Sequence, residues 1–201
     1  MAYAKSQETK QKLVRTMARL MHTQGYHATS ISQILKESGV PKGSLYHHFP
    51  GGKAELAAAA VVRANHIMTS GLTKMAEEAN HDAAELVRLF CNYFIEDMRQ
   101  SDFQRGCPIA LTTLDAAASV DAIQMQVDVG YRWMIDLVKT LLMRKGIEPE
   151  RAQTLATVAI SAIEGALVVT AARRNVEPLE QVRDHLMEQL AVLNTKIGDN
   201  E

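Results

Sequence analysis

The chain has 201 residues, 47% hydrophobic and 22% charged, a balance close to that of soluble globular domains, and this excludes a fibrous or mainly disordered protein. Eleven Gly and five Pro are few for the many turns of an all-β protein, whereas Ala, Leu, Met, Glu and Gln are plentiful and favour helix. The net charge of −1 hides an uneven spread, because residues 1–53 carry eight Lys/Arg against Glu8 and Glu37, a net of +6, while the remainder carries 14 basic and 21 acidic groups, a net of −7. A basic head on an acidic body points to a polyanionic partner for the head, against the plainer reading of a solvated charged face.

In chain order, Ser6 is read as the N-cap of a first helix, with Leu13, Val14, Met17, Leu20 and Met21 at helical spacing until Gly25. Ser30 and Gln33 fit a capping box that opens a short second helix, with Ile31, Ile34 and Leu35 inward and an end near Ser38. Gly39 can take a positive φ and Pro41 suits a helix start, so a third short helix is expected over Lys42–Phe49. Two short helices joined by a glycine-containing turn make a helix-turn-helix pattern. In its second helix Leu45 and Phe49 share one face, and Lys42, Gly43, Tyr46 and His47 the other. Gly43 is a poor helix former, which is explained if backbone there must come close to a partner.

Pro50-Gly51-Gly52 breaks the chain, and Lys53 opens a fourth helix that runs to about Glu78 as a rigid joint. Further helices are expected at Asp82–Gln100, from Cys107-Pro108 to about Ala118, at Ser119–Lys145, at Pro149–Arg174, and from Pro178 to the end. The whole is expected to be an all-α fold of about nine helices, with a helix-turn-helix head at 1–53 and a helical body at 54–201.

Several chemistries lack their groups. Cys91 and Cys107 match no zinc or redox spacing, and the polar N-terminus does not read as a secretory signal, so a cytoplasmic setting is expected. His47 and His48 are adjacent and cannot share one helix face, so no metal and no cofactor is expected. Gly51-Gly52-Lys53 is followed by Ala54 and not by a hydroxyl residue, so it is no P-loop. The apolar run Leu155–Ala172 is interrupted by Thr157, Ser161, Glu164, Gly165 and Thr170 and is read as a buried helix, not a membrane span. The alternative from another class is a helical small-molecule carrier or enzyme with an incidental basic head.

The residues Gly25-Tyr26-His27-Ala28-Thr29-Ser30-Ile31, Gly39 to Phe49 and Lys53-Ala54-Glu55-Leu56 resemble the N-terminal signature of the TetR family of transcriptional repressors. Pro50-Gly51-Gly52-Lys53, Arg105-Gly106-Cys107-Pro108 and Glu164-Gly165-Ala166-Leu167 resemble its LmrA/YxaF-like subgroup. The resemblance implies a homodimer that binds a palindromic double-stranded DNA operator and is released by a small-molecule effector. It places Lys42, Gly43, Ser44, Tyr46 and His47 in the recognition helix and Lys53 on a phosphate. Thr29 and Ser30, beside a helix N-terminus, are expected to hold phosphate as well. Pro41 stands where many members carry a small hydroxyl residue.

The last two helices are expected to pair with a second copy. Small residues Ser161, Ala162, Gly165 and Ala166 allow close approach, and Leu186, Leu190 and Leu193 form a leucine stripe. The helix Ser119–Lys145 carries two apolar stripes. The second, Met125, Val129 and Trp133, is expected to join Phe90, Tyr93, Phe94 and Cys107 around an apolar or aromatic effector.

Overall fold

A computed structural model describes residues 2–195, with side chains from Ala4 to Ala191. The described residues form helices α1 (Ala2–Ala28), α2 (Ile31–Ser38), α3 (Lys42–His48), α4 (Gly52–Glu78), α5 (Ala83–Gln100), α6 (Pro108–Thr112), α7 (Asp121–Arg144), α8 (Pro149–Arg173) and α9 (Glu177–Thr195), and no strand. Thr113–Ala117, expected as a continuation of α6, winds instead as a wider π turn. Ser6 is not a cap: α1 already begins at Ala2, because Ala2, Ala4 and Lys5 are strong helix formers and a capping residue does not forbid an earlier start.

The chain divides into two compact units, one of residues 1–67 with 108–130 and the other of 68–107 with 131–201. In the first, α1 packs on α2, α3, α6 and the π turn. Leu13, Met17 and Leu20 of α1 meet a core completed by Ile34, Leu45, Phe49 and Leu56, all essentially inaccessible. The end of α1 is kinked at Gly25, whose φ of 82° and ψ of 169° leave the helical region, and Tyr26–Ala28 make a separate last turn. A side chain at this φ would be strained.

In the second unit α5 lies against α9 and α8, and α8 against α9. Asp82 caps α5 by accepting from the Glu85 N–H at 2.9 Å, as expected of an Asp before an apolar-periodic run. Leu86, Phe90, Phe94, Met98, Met134, Ile160, Ile163 and Leu179 fill the core, with the Phe90 and Phe94 rings edge to face at 5.0 Å. Among the described residues α8 alone has the length and apolarity to cross a membrane, with a mean hydropathy of 1.9 over its most apolar stretch. Its two faces differ: Ala152, Ala156, Ala159, Ile163 and Leu167 are buried, whereas Val158, Val168 and Val169 are 56%, 50% and 46% exposed.

Candidate nucleic-acid interface

The helix-turn-helix is built by local chemistry at each joint. Ser30 Oγ accepts from the Gln33 N–H at 3.1 Å and starts α2. Gly39 stops it in the left-handed region at φ 67°, with its N–H donating to Leu35 O at 3.0 Å, an arrangement that favours glycine. Pro41 then starts α3 in extended geometry, and its carbonyl accepts from the Ser44 N–H at 3.0 Å. Leu45 and Phe49 are buried to 0% and 2% exposure, which fixes the rotation of α3 and turns Lys42, Gly43, Tyr46 and His47 outward. Tyr46 is 41% exposed, and Ser44 is half-buried.

Gly43 is the informative position on this face. It has no positive φ, and a Cβ built there meets nothing within 4 Å. Neither backbone conformation nor packing within the chain calls for glycine, and glycine inside a helix is unfavourable by about 0.5–1 kcal/mol relative to alanine. The residue makes sense where another molecule approaches the α3 backbone.

The three expected phosphate ligands are placed differently from one another. Ser30 is exposed at the start of α2 and also pairs with Ser32 Oγ at 2.9 Å. Thr29 is fully buried, and its hydroxyl donates to Gly25 O at 2.7 Å. This corrects the expectation for its side chain, which joins the α1 kink to the start of α2 and is turned away from solvent. Lys53 is half-buried, with Nζ 4.1 Å from the centroid of the Tyr26 ring. Burial pushes its pKa down, against the opposing pull of the Asp115 carboxylate. His48, between His47 and Lys10, is likewise shifted down, mainly by desolvation.

The expected effector residues differ in burial, and those of the second unit do not line one cavity. An apolar cavity of about 20 Å³ in the second unit is lined by Leu72, Leu86, Val87, Phe90, Met134, Leu137, Val138, Ala159, Ile160 and Ile163, and Phe90 alone belongs to the expected group. Phe94 and Cys107 are core residues at 4% and 1% exposure, whereas Tyr93, Met125 and Val129 are 53%, 55% and 49% exposed; Trp133 is half-buried. The helix α7 is rotated so that its Ile123, Val127, Met134 and Val138 stripe is inside, which leaves the Met125 stripe facing out. A cavity of this size holds about one water, far below the 300–1,000 Å³ of ordinary ligand sites.

The expected dimer residues also separate. Ser161 and Gly165 are exposed and Ala162 half-buried on α8, but Ala166 is buried. Leu186 and Leu190 are 7% and 4% exposed in a helix that packs on α5 and α8. Their stripe therefore closes the core of its own chain, and the expectation that it faces a partner is corrected. The side chain of Leu193 lies outside the described residues.

Two groups to which the sequence reading gave no role of their own stand out. Glu164, on apolar α8, has a buried Oε2 without a hydrogen-bond partner, and burial raises its pKa to about 7 against the opposing effect of a hydrogen bond with Cys107. Its place inside an apolar run was the available signal. Asp115, in the π turn, accepts from the backbone N–H groups of Tyr26 and, at 3.4 Å, His27. No local pattern announces a contact across almost ninety positions. Among the described residues no group of His, Cys, Asp and Glu is arranged to hold a metal, and both cysteines are buried and form no disulfide.

An all-helical chain with an exposed, glycine-bearing second helix of a helix-turn-helix is a DNA-binding regulator in its architecture. The profile of the bacterial regulatory proteins of the tetR family matches residues 13–60, and that of the transcriptional regulator LmrA/YxaF-like C-terminal domain matches residues 83–185. The chain is 32% identical over 191 residues to the HTH-type regulator YxaF of Bacillus subtilis, covering 95% of this chain and 97% of that one. It is 32% identical over 181 residues to LmrA of the same organism, with 89% and 93% covered. The crystal structure of a TetR regulator from Chloroflexus aurantiacus superposes with a TM-score of 0.76 at 27% identity over 94% of this chain and 96% of the other. That of reduced NemR from E. coli gives 0.78 at 21% identity, over 89% and 95%, a likeness of fold. The chain therefore belongs to the TetR family of DNA-binding transcriptional regulators, with a C-terminal domain of the LmrA/YxaF type. Regulators of this family bind operator DNA, dimerise, and are not enzymes.

Proposed function

We propose that the protein is a cytoplasmic repressor that binds a palindromic operator as a homodimer and leaves it when a small apolar or aromatic effector enters its C-terminal part. The working division is a DNA-binding domain at 1–53 and a ligand-binding and dimerisation domain at 54–201, with no membrane partner. Lys42, Gly43, Ser44, Tyr46 and His47 face the major groove, while Ser30 and Lys53 hold the phosphate backbone. The observation that carries this reading is the open space at Gly43 on the outward face of α3. Lys42 donates to guanine O6 or N7 and Tyr46 touches a thymine methyl, each good contact discriminating by about 1–3 kcal/mol.

The second copy docks on the outward face of α8. Val158, Ser161, Gly165 and Val168 recur there at spacings of three and four and are exposed, a pattern of small and apolar residues that a solitary surface helix rarely shows. A two-fold axis then sets half-sites one helical turn of DNA apart, about 34–36 Å, or a multiple of it. The effector enters by widening the cavity beside Phe90 and Ile163, since its present volume admits nothing larger than water.

Fluorescence anisotropy with the DNA upstream of the protein's own gene, against a scrambled duplex of equal length, tests the reading. Tight binding to the first with strong salt dependence supports it. Equal binding to both duplexes would sink the operator assignment, and a monomer in sedimentation at micromolar concentration would sink the dimer.

A further inference from the structure

The last turn of α1 is a helix start without a local cap. After the kink at Gly25, the N–H groups of Tyr26 and His27 no longer point at carbonyls one turn back, and a helix start in this condition needs acceptors from elsewhere. Asp115 supplies them: its Oδ2 accepts from both N–H groups, as an N-cap carboxylate does, but from a distant part of the chain. A side chain at Gly25 would put its Cβ 2.9 Å from the same oxygen, so glycine there leaves room for the carboxylate as well as permitting the φ. A second bridge joins His27 Nε2 and Ser119 Oγ at 3.2 Å. Asp115 sits in the π turn, a geometry often found at functional positions in helices, and the neighbouring Ala116 anchors that turn at 1% exposure.

What lies immediately beyond this clamp is the DNA-facing apparatus. Thr29 ties back to it through Oγ1 to Gly25 O at 2.7 Å and through its N–H to Tyr26 O at 3.1 Å, and Ser30 then caps α2. Lys53, at the start of α4, lies on the Tyr26 ring within the field of the Asp115 carboxylate. The N-terminus of α2 and the ammonium of Lys53 thus both take their places from one turn that Asp115 holds.

We infer that Asp115 is a positioning residue for DNA recognition: it touches no DNA, and by capping Tyr26 and His27 it fixes where Ser30 and Lys53 meet the phosphate backbone. This rests on the DNA-binding reading above. The decisive property is an acceptor oxygen at the right distance, not negative charge, which by itself repels DNA.

The test uses the full-length protein, a duplex selected from a random pool by the wild type, and a scrambled duplex of equal length. Asp115→Ala should fold with wild-type circular dichroism and bind the selected duplex about tenfold more weakly, as for the loss of one or two charge-assisted hydrogen bonds. Its binding to the scrambled duplex should weaken as well, since the phosphate contacts that Asp115 is inferred to position carry no sequence information. Asp115→Asn, which keeps an acceptor oxygen and loses the charge, should restore most of the affinity. Asp115→Glu, which keeps the charge and displaces the oxygen, should not, and it carries the test if the alanine variant fails to fold. Amide hydrogen exchange at Tyr26 and His27 should quicken in the alanine and glutamate variants and return to wild type in the asparagine variant. Wild-type affinity in Asp115→Ala, or an asparagine variant as weak as it, would overturn the inference while leaving DNA binding intact. A wild type that selects no duplex at all would overturn the DNA reading and this inference with it.

Discussion

The outward faces of α3 and α8 are both uncovered, and their chemistry is opposite. On α3 the exposed residues are Lys42, Gly43, Tyr46 and His47; along the middle of α8 they are Thr157, Val158, Ser161, Gly165, Val168 and Val169. Both helices also carry an exposed glycine with nothing within 4 Å of where its Cβ would stand, and each is proposed above as a docking face. A face with a cation, hydrogen-bonding rings and bare backbone fits a polyanion that presents donors and acceptors. A face of valines and small residues carries no charge and no hydrogen-bonding ring, and it suits another apolar helix, for which a second copy of the same face is the proposed source. The contrast teaches that, on the proposed reading, the residues around an exposed helical glycine and not the glycine alone distinguish one partner from the other.

The sharpest way to break the comparison is Gly43→Leu. The site is open in the free protein, so stability should hold or rise by roughly 0.5 kcal/mol from improved helix propensity, while a bulky side chain on the DNA face should weaken operator binding by about 100-fold or more. A variant that melts like wild type and still binds its operator would remove α3 from the interface.

Next in size is the α8 face. Val158→Glu with Val168→Glu places charges where the second copy is proposed to sit, and both positions are already half-exposed, so the fold should survive. Sedimentation should show folded monomers with operator affinity lost. Leu190→Glu makes the contrast: at 4% exposure it buries a charge in the chain's own core and should unfold the protein, by about 3 kcal/mol or more. A dimeric double variant would move the interface elsewhere.

These outcomes bear on what the sequence could reveal. The cap of Ser30, the left-handed turn at Gly39 and the start at Pro41 were readable because each is decided by a few adjacent residues. The outward face of α3 followed once Leu45 and Phe49 were recognised as the inward pair. Helix α7 shows where such reading stops: it has two apolar stripes, and periodicity alone does not say which one the core takes. The Ile123–Val138 stripe went inside, which left Met125 and Val129 exposed and dispersed the expected effector set. Leu186 and Leu190 of α9 turned to their own core for a related reason, since one apolar stripe serves a monomer core as well as a partner. Asp115 and the buried hydroxyl of Thr29 were invisible because they exist only after the kink and the π turn meet.

Glu164 sharpens the difference between the faces of α8 by titration. Its pKa of about 7 lies above the ordinary carboxylate value, so between about pH 4.5 and 7 the unfolded chain gives up this proton while the folded chain keeps it. Folding stability contributed by this group therefore falls as pH rises through that window and is level above it. Glu164→Gln should remove this slope: the variant should gain on the order of 2 kcal/mol over wild type at pH 8, and the advantage should shrink towards pH 4.5. An advantage of equal size at both pH values would mean that Glu164 is not held neutral by burial.

The smallest effect separates two roles for Lys53. If its ammonium meets a phosphate in the complex, Lys53→Ala should weaken selected and scrambled duplexes alike, and the dependence of log affinity on log salt should become shallower by about one unit, the release of a single counterion. If it serves only to cover Tyr26, where it lies 4.1 Å from the ring centroid, the variant should lose about 0.5–1 kcal/mol of stability and keep its salt slope. Lys53→Arg distinguishes further, since guanidinium stacks on the ring and also pairs with phosphate; it should restore both properties. A slope unchanged in the alanine variant would leave Ser30 as the backbone anchor and would confine the cationic contribution of the interface to α3, where Lys42 is exposed.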